Sequence, residues 1–226
     1  MKRELIVNNY PKSSVTESIK TIKTNLTFST LNENIKTILV TSSTIGEGKS
    51  FISANLAISF ANSDKKVLLI DCDLRRGRQQ TLFNIITNSK IGLSNLLIDN
   101  NWKKNLKEYL YATEIKNLDI LTTGTIPPNP SVLLESPKLD KLFEELKEKY
   151  DIIILDTPPV TGLTDSLILS RLADVVLIVA KAKKTTLEML ENTKKSLEKV
   201  NACIGGVILN KVDNQDGTLY KREYYE

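Results

Sequence analysis

Residues Ile38 to Ser50 read ILVTSSTIGEGKS. The stretch runs from an apolar strand through a Gly-rich turn into the start of a helix. Gly48-Lys49-Ser50 forms the core of a P-loop, whose successive backbone N–H groups turn inward to hold phosphate oxygens beside a helix N-terminus. Lys49 would reach the β- and γ-phosphates, and the Ser50 hydroxyl would ligate Mg²⁺. Gly46 and Gly48 permit backbone angles that a Cβ would forbid. The motif departs from G-x-x-x-x-G-K-[ST] at its first position, where Ser43 replaces glycine. A rival reading of Gly46-x-Gly48 as a dinucleotide fingerprint needs a third glycine at position 51, which holds Phe51.

Working outward, two further strands end in acids. Val67-Leu68-Leu69-Ile70 is a continuous apolar run that suits a central parallel strand. It leads into Asp71-Cys72-Asp73-Leu74-Arg75-Arg76. In extended backbone Asp71 and Asp73 point the same way, at the strand end where α/β sheets place their ligands. Solvated loop acids are the plainer alternative, and Cys72 reads as a packed strand thiol. Asp151-Ile152-Ile153-Ile154-Leu155-Asp156 is a second buried strand ending in an acid, the Walker B form, in which the carboxylate holds Mg²⁺ through water. Thr157-Pro158-Pro159 follows as a rigid turn.

The remaining pattern alternates strand with helix. Strands are expected at Lys36–Thr41, Leu118–Thr122, Val175–Ala180 and Gly206–Asn210. Helices are expected from a capping box at Ser14-Val15-Thr16-Glu17, over Ser50–Asn62, around Leu93–Ile98 and Asn105–Tyr111, after Ser131, and over Thr185–Val200. The first of these places Val15, Ile19, Ile22 and Leu26 on one face, with Glu17, Lys20 and Lys23 on the other, read either as a solvated surface or as an intersubunit contact. The helix after Ser131 carries Leu139, Leu142, Phe143, Leu146 and Tyr150 on one stripe, and the last helix uses Leu187, Leu190, Leu197 and Val200. Three prolines in Gly124–Pro130 make a stiff loop. The whole reads as a doubly wound, mostly parallel α/β sheet with helices on both faces, in one domain over residues 1–219 with a short tail over residues 220–226.

Composition narrows the chemistry. The 226 residues include no histidine, which removes Ser-His-Asp and Cys-His catalysis and His-ligated metals. Acid–base work must fall to carboxylates, lysine or tyrosine. The two cysteines, Cys72 and Cys203, make no framework or metal pattern. No apolar run approaches the ~20 residues of a membrane span, and no signal peptide is visible, so a cytoplasmic chain is expected. A net charge of +4 is too small to argue for nucleic acid. Three of the seven tyrosines, Tyr220, Tyr224 and Tyr225, crowd into YKREYYE at the end, either as a solvated tail or as phosphoacceptors.

Together TSSTIGEGKS, LLIDCDLRRG and IIILDTPP resemble the Walker A, A′ and B motifs of bacterial tyrosine kinases, and YKREYYE resembles their C-terminal tyrosine cluster. TGTIPPNPSVLLES and SVTESIKTIKTNLTF also resemble stretches of that family, so the likeness runs from about Pro11 to the end. The related partitioning and division-site ATPases carry a signature lysine where this chain has Thr44.

The resemblance implies a P-loop NTPase fold and an ATP-dependent kinase that phosphorylates its own tyrosine tail in trans within ring oligomers, in systems that make and export capsule or exopolysaccharide. It implies that Ser43, Thr44, Ile45, Gly46, Glu47, Gly48, Lys49, Ser50, Phe51 and Asn210 bind ATP. Ser50, Asp73 and Asp156 would serve Mg²⁺. Lys49 and Asp73 would act with Asp71, the candidate base for the tyrosine proton. As partners it implies the cytoplasmic tail of a membrane-embedded activator related to chain-length regulators, a tyrosine phosphatase, and further copies of the chain through Glu17, Lys20 and Lys23. The place expected is the inner face of the membrane, reached through that activator. The family's helix motif has arginines where Lys20 and Lys23 stand, and lysine lacks arginine's bidentate fork. Ile45 stands where proline is common. A nucleotide-switched positioning ATPase is the alternative from another class, and a nucleotide-binding scaffold without turnover is a third.

Overall fold

The structure is a computed structural model and describes residues 4–29, 35–86 and 91–213. In chain order it begins with α1 (Ile6–Asn9), α2 (Ser14–Ser29), β1 (Thr37–Ser42), α3 (Lys49–Ala61) and β2 (Val67–Asp71). The middle holds α4 (Gln79–Leu82), α5 (Leu93–Ile98), α6 (Trp102–Tyr109), β3 (Tyr111–Ala112), β4 (Leu118–Leu121), α7 (Pro130–Leu134) and α8 (Pro137–Lys149). It closes with β5 (Ile152–Asp156), α9 (Asp165–Ser170), β6 (Val175–Lys181), α10 (Leu187–Glu198) and β7 (Ile204–Asn210).

The strands form one seven-stranded sheet in the order β3-β4-β2-β5-β1-β6-β7. Every neighbouring pair is parallel except β3 with β4, at one edge. The expected doubly wound, mostly parallel sheet is therefore present. The two-residue β3 and the short α9 were not anticipated, because elements so brief carry no readable period.

Central strands bury both faces, and successive residues feed opposite layers. Ile38 and Val40 of β1 join Ile52, Leu56 and Phe60 of α3 on one side. Leu39 joins Leu139, Leu142, Phe143 and Leu146 of α8 on the other. Each of these fully buried apolar side chains contributes about 1.5–3 kcal/mol. Register brings the acids together: Asp71 at the end of β2 lies opposite Asp156 at the end of β5, and Val40, near the end of β1, pairs Asp156 from the other side.

Several local expectations need correction. The helix α2 is capped by Ser13, whose Oγ accepts from Thr16 N at 3.1 Å, and not by Ser14. Its buried face runs through Thr16, Ile19 and Leu26, while Val15 is exposed. A threonine can take that place because its hydroxyl donates to Tyr10 O at 2.7 Å. Ser131 lies inside α7, and the long helix that follows starts later, where Ser136 Oγ accepts from Lys138 N at 3.3 Å. In α10 the inner stripe is Leu190, Thr193 and Leu197, whereas Leu187 and Val200 are exposed. The second mid-chain helix starts at Trp102 rather than Asn105, so that Trp102 and Leu106 can pack into the core.

Candidate active site

The loop between β1 and α3 is braced from three directions. Gly46 and Gly48 take positive φ, at +84° and +104°. A Cβ on Gly48 would sit 2.0 Å from Asn210 Nδ2, so the glycine is required by close approach as well as by backbone angle. Asn210, at the end of β7, donates Nδ2 to Glu47 O at 2.9 Å, and Lys211 Nζ donates to Gly46 O at 3.3 Å. The fully buried Glu47 carboxylate accepts from Thr44 N at 2.9 Å and from the Thr185 hydroxyl. Ser43, standing in place of the usual glycine, is buried away from the loop mouth. Its hydroxyl accepts from Thr193 Oγ1 at 2.9 Å and donates to Met189 O at 3.3 Å. The departure from the motif is thus absorbed by α10, whose buried Thr193 supplies the partner. Ile45, though exposed, lines the cleft together with Phe51, whose side chain also packs against the α3 side of the core.

Lys49 opens α3 and is largely buried. Burial lowers its pKa, and the charges of Asp156, Asp73 and Glu47 oppose that shift. Beside it lies a cleft of about 650 Å³, whose walls include Gly48, Ser50, Asp73, Arg75, Pro159 and Leu163. This is the size of a small-molecule site.

The three acids divide unequally. Asp73 opens on the cleft, while its Oδ1 accepts from Arg76 N at 2.9 Å and Arg75 N at 3.3 Å. The strand ends at Asp71, so the side-by-side arrangement expected of extended backbone does not reach Asp73; an Asx turn replaces it. Asp71 is only 1% exposed and accepts from Gln79 N at 2.8 Å and Asp73 N at 3.3 Å. Burial, then the nearby Asp156 charge, raises its pKa well above the usual carboxylate range. Asp156 is equally buried. Burial raises its pKa too, offset by hydrogen bonds from Ser50 and Gln79 and by the Lys49 charge. The intervening Cys72 thiol is pushed up by burial and packs inside, as the sequence suggested.

Several residues here escaped the sequence reading. Gln79 donates Nε2 to Asp156 Oδ2 at 2.7 Å and to Ser50 O at 3.1 Å. Arg75 clasps the fully buried Asp165 in two parallel bonds, from Nε at 3.2 Å and a terminal nitrogen at 3.3 Å. No spacing rule marks a glutamine eight residues beyond an aspartate, or an arginine ninety residues before its partner. Only the fold brings them together.

Ser50, Asp73 and Asp156 could hold a cation. Among the described residues no three acids or cysteines form a closed metal cage. An open arrangement fits Mg²⁺, which binds through one or two carboxylates plus phosphates and keeps several waters. Outside the cleft, Lys20 pairs with Glu17 at 2.7 Å on the exposed face of α2, and Lys23 Nζ donates to Ser63 Oγ at 2.6 Å. Tyr220, Tyr224 and Tyr225 lie outside the described residues. No helix among those residues is long and apolar enough to cross a membrane.

Known proteins resemble this chain along most of its length. The AAA domain family matches residues 35–205. The chain is 36% identical over 222 residues to a putative tyrosine-protein kinase CapB of Staphylococcus aureus, covering 98% of this chain and 95% of that one. It is 38% identical over 210 residues to the tyrosine-protein kinase YwqD of Bacillus subtilis, covering 93% and 86%. Among solved structures, the chimerical protein CapA2B2 superposes with a TM-score of 0.87 at 36% identity, over 94% of this chain and 91% of that one. The kinase domain of Escherichia coli tyrosine kinase ETK gives 0.85 at 33%, over 92% and 80%. The septum site-determining protein MinD of Pyrococcus horikoshii, complexed with Mg-ADP, gives 0.64 at 24% over 77% and 69%, a likeness of fold alone. With the AAA domain family spanning most of its length and tyrosine kinases more than a third identical along nearly all of it, this chain belongs to the bacterial tyrosine-protein kinases.

Proposed function

We propose that this chain transfers the γ-phosphoryl group of ATP to tyrosines of the tail of another copy, with residues 1–219 as the kinase domain and residues 220–226 as the substrate segment. The observation that carries the reading is the open cleft beside Lys49, Ser50 and Asp73, with Asp156 hydrogen-bonded behind Ser50. Phosphoryl transfer needs little covalent help from a protein; positioning and charge stabilisation supply most of the rate.

The loop from Ser43 to Ser50 would cradle the phosphates, with Phe51 and the Asn210 brace shaping the site. Lys49 supplies a point charge to the phosphates. The cation, held by Ser50, Asp73 and Asp156, would neutralise charge on the transferred group. Pro159, Leu163 and the arginines beyond Asp73 offer an apolar and basic wall for an incoming tyrosine. Asp71 is assigned the tyrosine proton. Burial makes it a stronger base than an exposed carboxylate.

The same reading places the chain at the inner face of the membrane, through the cytoplasmic tail of a membrane-embedded activator. It also includes a ring of copies joined through Glu17, Lys20 and Lys23, reversal by a tyrosine phosphatase, and control of capsule or exopolysaccharide synthesis. The Lys20–Glu17 pair and the Lys23–Ser63 bond would exchange for contacts across the ring, so self-association should be weak. A mixing experiment tests transfer between copies. A Lys49→Met chain with an intact tail is combined with a chain whose three tail tyrosines are phenylalanine. Phosphotyrosine on the Lys49→Met chain supports transfer in trans, and none on it, with Mg-ATP present, overturns that.

A further inference from the structure

Gln79 stands out as a buried polar residue with an unspent valence. Its side chain is completely buried. The two acceptors it touches, Ser50 O and Asp156 Oδ2, can be served only by an NH₂ group, so its donors are both used and the orientation of its amide is set by those partners. Its carbonyl oxygen, Oε1, has no hydrogen-bond partner among the described residues. A buried acceptor left in that state is costly, and in native proteins it calls for an explanation such as a catalytic role, a water or an ion.

The surroundings narrow what that visitor is. Through its backbone N–H, Gln79 also holds Asp71 Oδ2, so one residue ties together the end of β2, the end of β5 and the first turn of α3. Gly77 lets this segment approach, since a Cβ there would lie 2.8 Å from Asp71 Oδ2 and 2.2 Å from the Thr123 methyl carbon. By occupying Asp156 Oδ2, Gln79 leaves Oδ1 for other partners, with Ser53 Oγ at 3.4 Å. Asp156, which its amide touches, lies beside Lys49 and the Ser50 hydroxyl, and both of these act on that carboxylate. None of the described side chains donates to Oε1, and a donor arriving from the cleft would have to be welcome beside carboxylates.

We propose that Gln79 is a positioning residue for Mg²⁺: its amide NH₂ aims the Asp156 carboxylate, and its Oε1 accepts a hydrogen bond from a water of the cation's hydration shell. Such outer partners orient the ligands that touch a metal, and losing one weakens metal affinity about 10- to 100-fold. The proposal rests on the Mg-nucleotide reading of the cleft, and its test separates the two.

ADP affinity is measured by calorimetry with EDTA and then across a Mg²⁺ titration, for the wild type, Asp156→Asn, Gln79→Leu and Gln79→Met. The expected result is that both Gln79 variants keep the metal-free ADP affinity while their Mg²⁺ midpoint rises about 10- to 100-fold. A wild-type midpoint retained by either folded variant overturns the proposal. So does an equal loss with and without metal, which would mark a purely structural role. If Mg²⁺ does not strengthen ADP binding in the wild type, the Mg-nucleotide reading fails and the proposal falls with it. A crystal structure of the wild type with Mg-ADP needs no variant: a water shared by Mg²⁺ and Gln79 Oε1 supports the assignment, and an Oε1 still lacking a donor contradicts it.

Discussion

Replacing Gly48 by alanine should damage this protein in a way that replacing Gly46 does not. Both alanines would inherit positive φ, +104° and +84°, at about 1–3 kcal/mol each. At Gly46 the new methyl meets nothing within 4 Å. At Gly48 it would lie 2.0 Å from Asn210 Nδ2. The amide must swing away and give up its bond to Glu47 O, which adds roughly 1 kcal/mol. Gly48→Ala should therefore cost about 2–4 kcal/mol and Gly46→Ala about 1–3 kcal/mol. Differences of that size are visible in a urea midpoint for a domain whose total stability is about 5–15 kcal/mol. The clash has a single partner, so it can be isolated. Combined with Asn210→Ala, Gly48→Ala should cost about 1 kcal/mol less than the sum of the two single changes. Equal costs at the two glycines, with strict additivity in the double mutant, would refute the claim that β7 braces the loop through Asn210.

Asp73 opens on the cleft and Asp71 is sealed beneath it, so Asp73→Asn should weaken Mg-ADP binding more than Asp71→Asn, while both lose kinase activity; equal affinities by calorimetry would refute that division. Ser136→Ala should lower stability by about 1 kcal/mol through the lost cap of α8, and Ser131→Ala should stay within about 0.5 kcal/mol by urea unfolding. Phosphorylation of Tyr220, Tyr224 and Tyr225 should dissociate oligomers, because each phosphate brings roughly −1.5 to −2 charges toward a cleft that Asp73 lines, with Asp71 and Asp156 buried beneath it; an unchanged mass by ultracentrifugation would count against it.

The strands at the centre of the sheet were legible because a parallel strand buried on both faces must be apolar throughout. The loop and the acids were legible because phosphate and Mg²⁺ chemistry allows few residue types. Other features were hidden by hydrogen bonds that hydropathy does not register. Thr16 and Thr193 take core-facing positions because their hydroxyls find Tyr10 O and the Ser43 hydroxyl, so Val15, Leu187 and Val200 are exposed where an inner face was expected, while Ile19, Leu26 and Leu197 are buried as expected. Ser43 looked like a flaw in the motif until Thr193 and Met189 appeared beside its hydroxyl. The unequal placement of Asp71 and Asp73 depends on where β2 stops, and Gln79 has no meaning in the sequence apart from the acids it joins in space.

The central claim is that this cleft transfers phosphate to tyrosine. Its most direct test is mass spectrometry of residues 214–226 after incubation with Mg-ATP, alongside a folded Lys49→Met chain. The account predicts phosphate on Tyr220, Tyr224 and Tyr225 in the wild type and unmodified tyrosines in the variant. Release of inorganic phosphate by the wild type with all three tyrosines unmodified would contradict it.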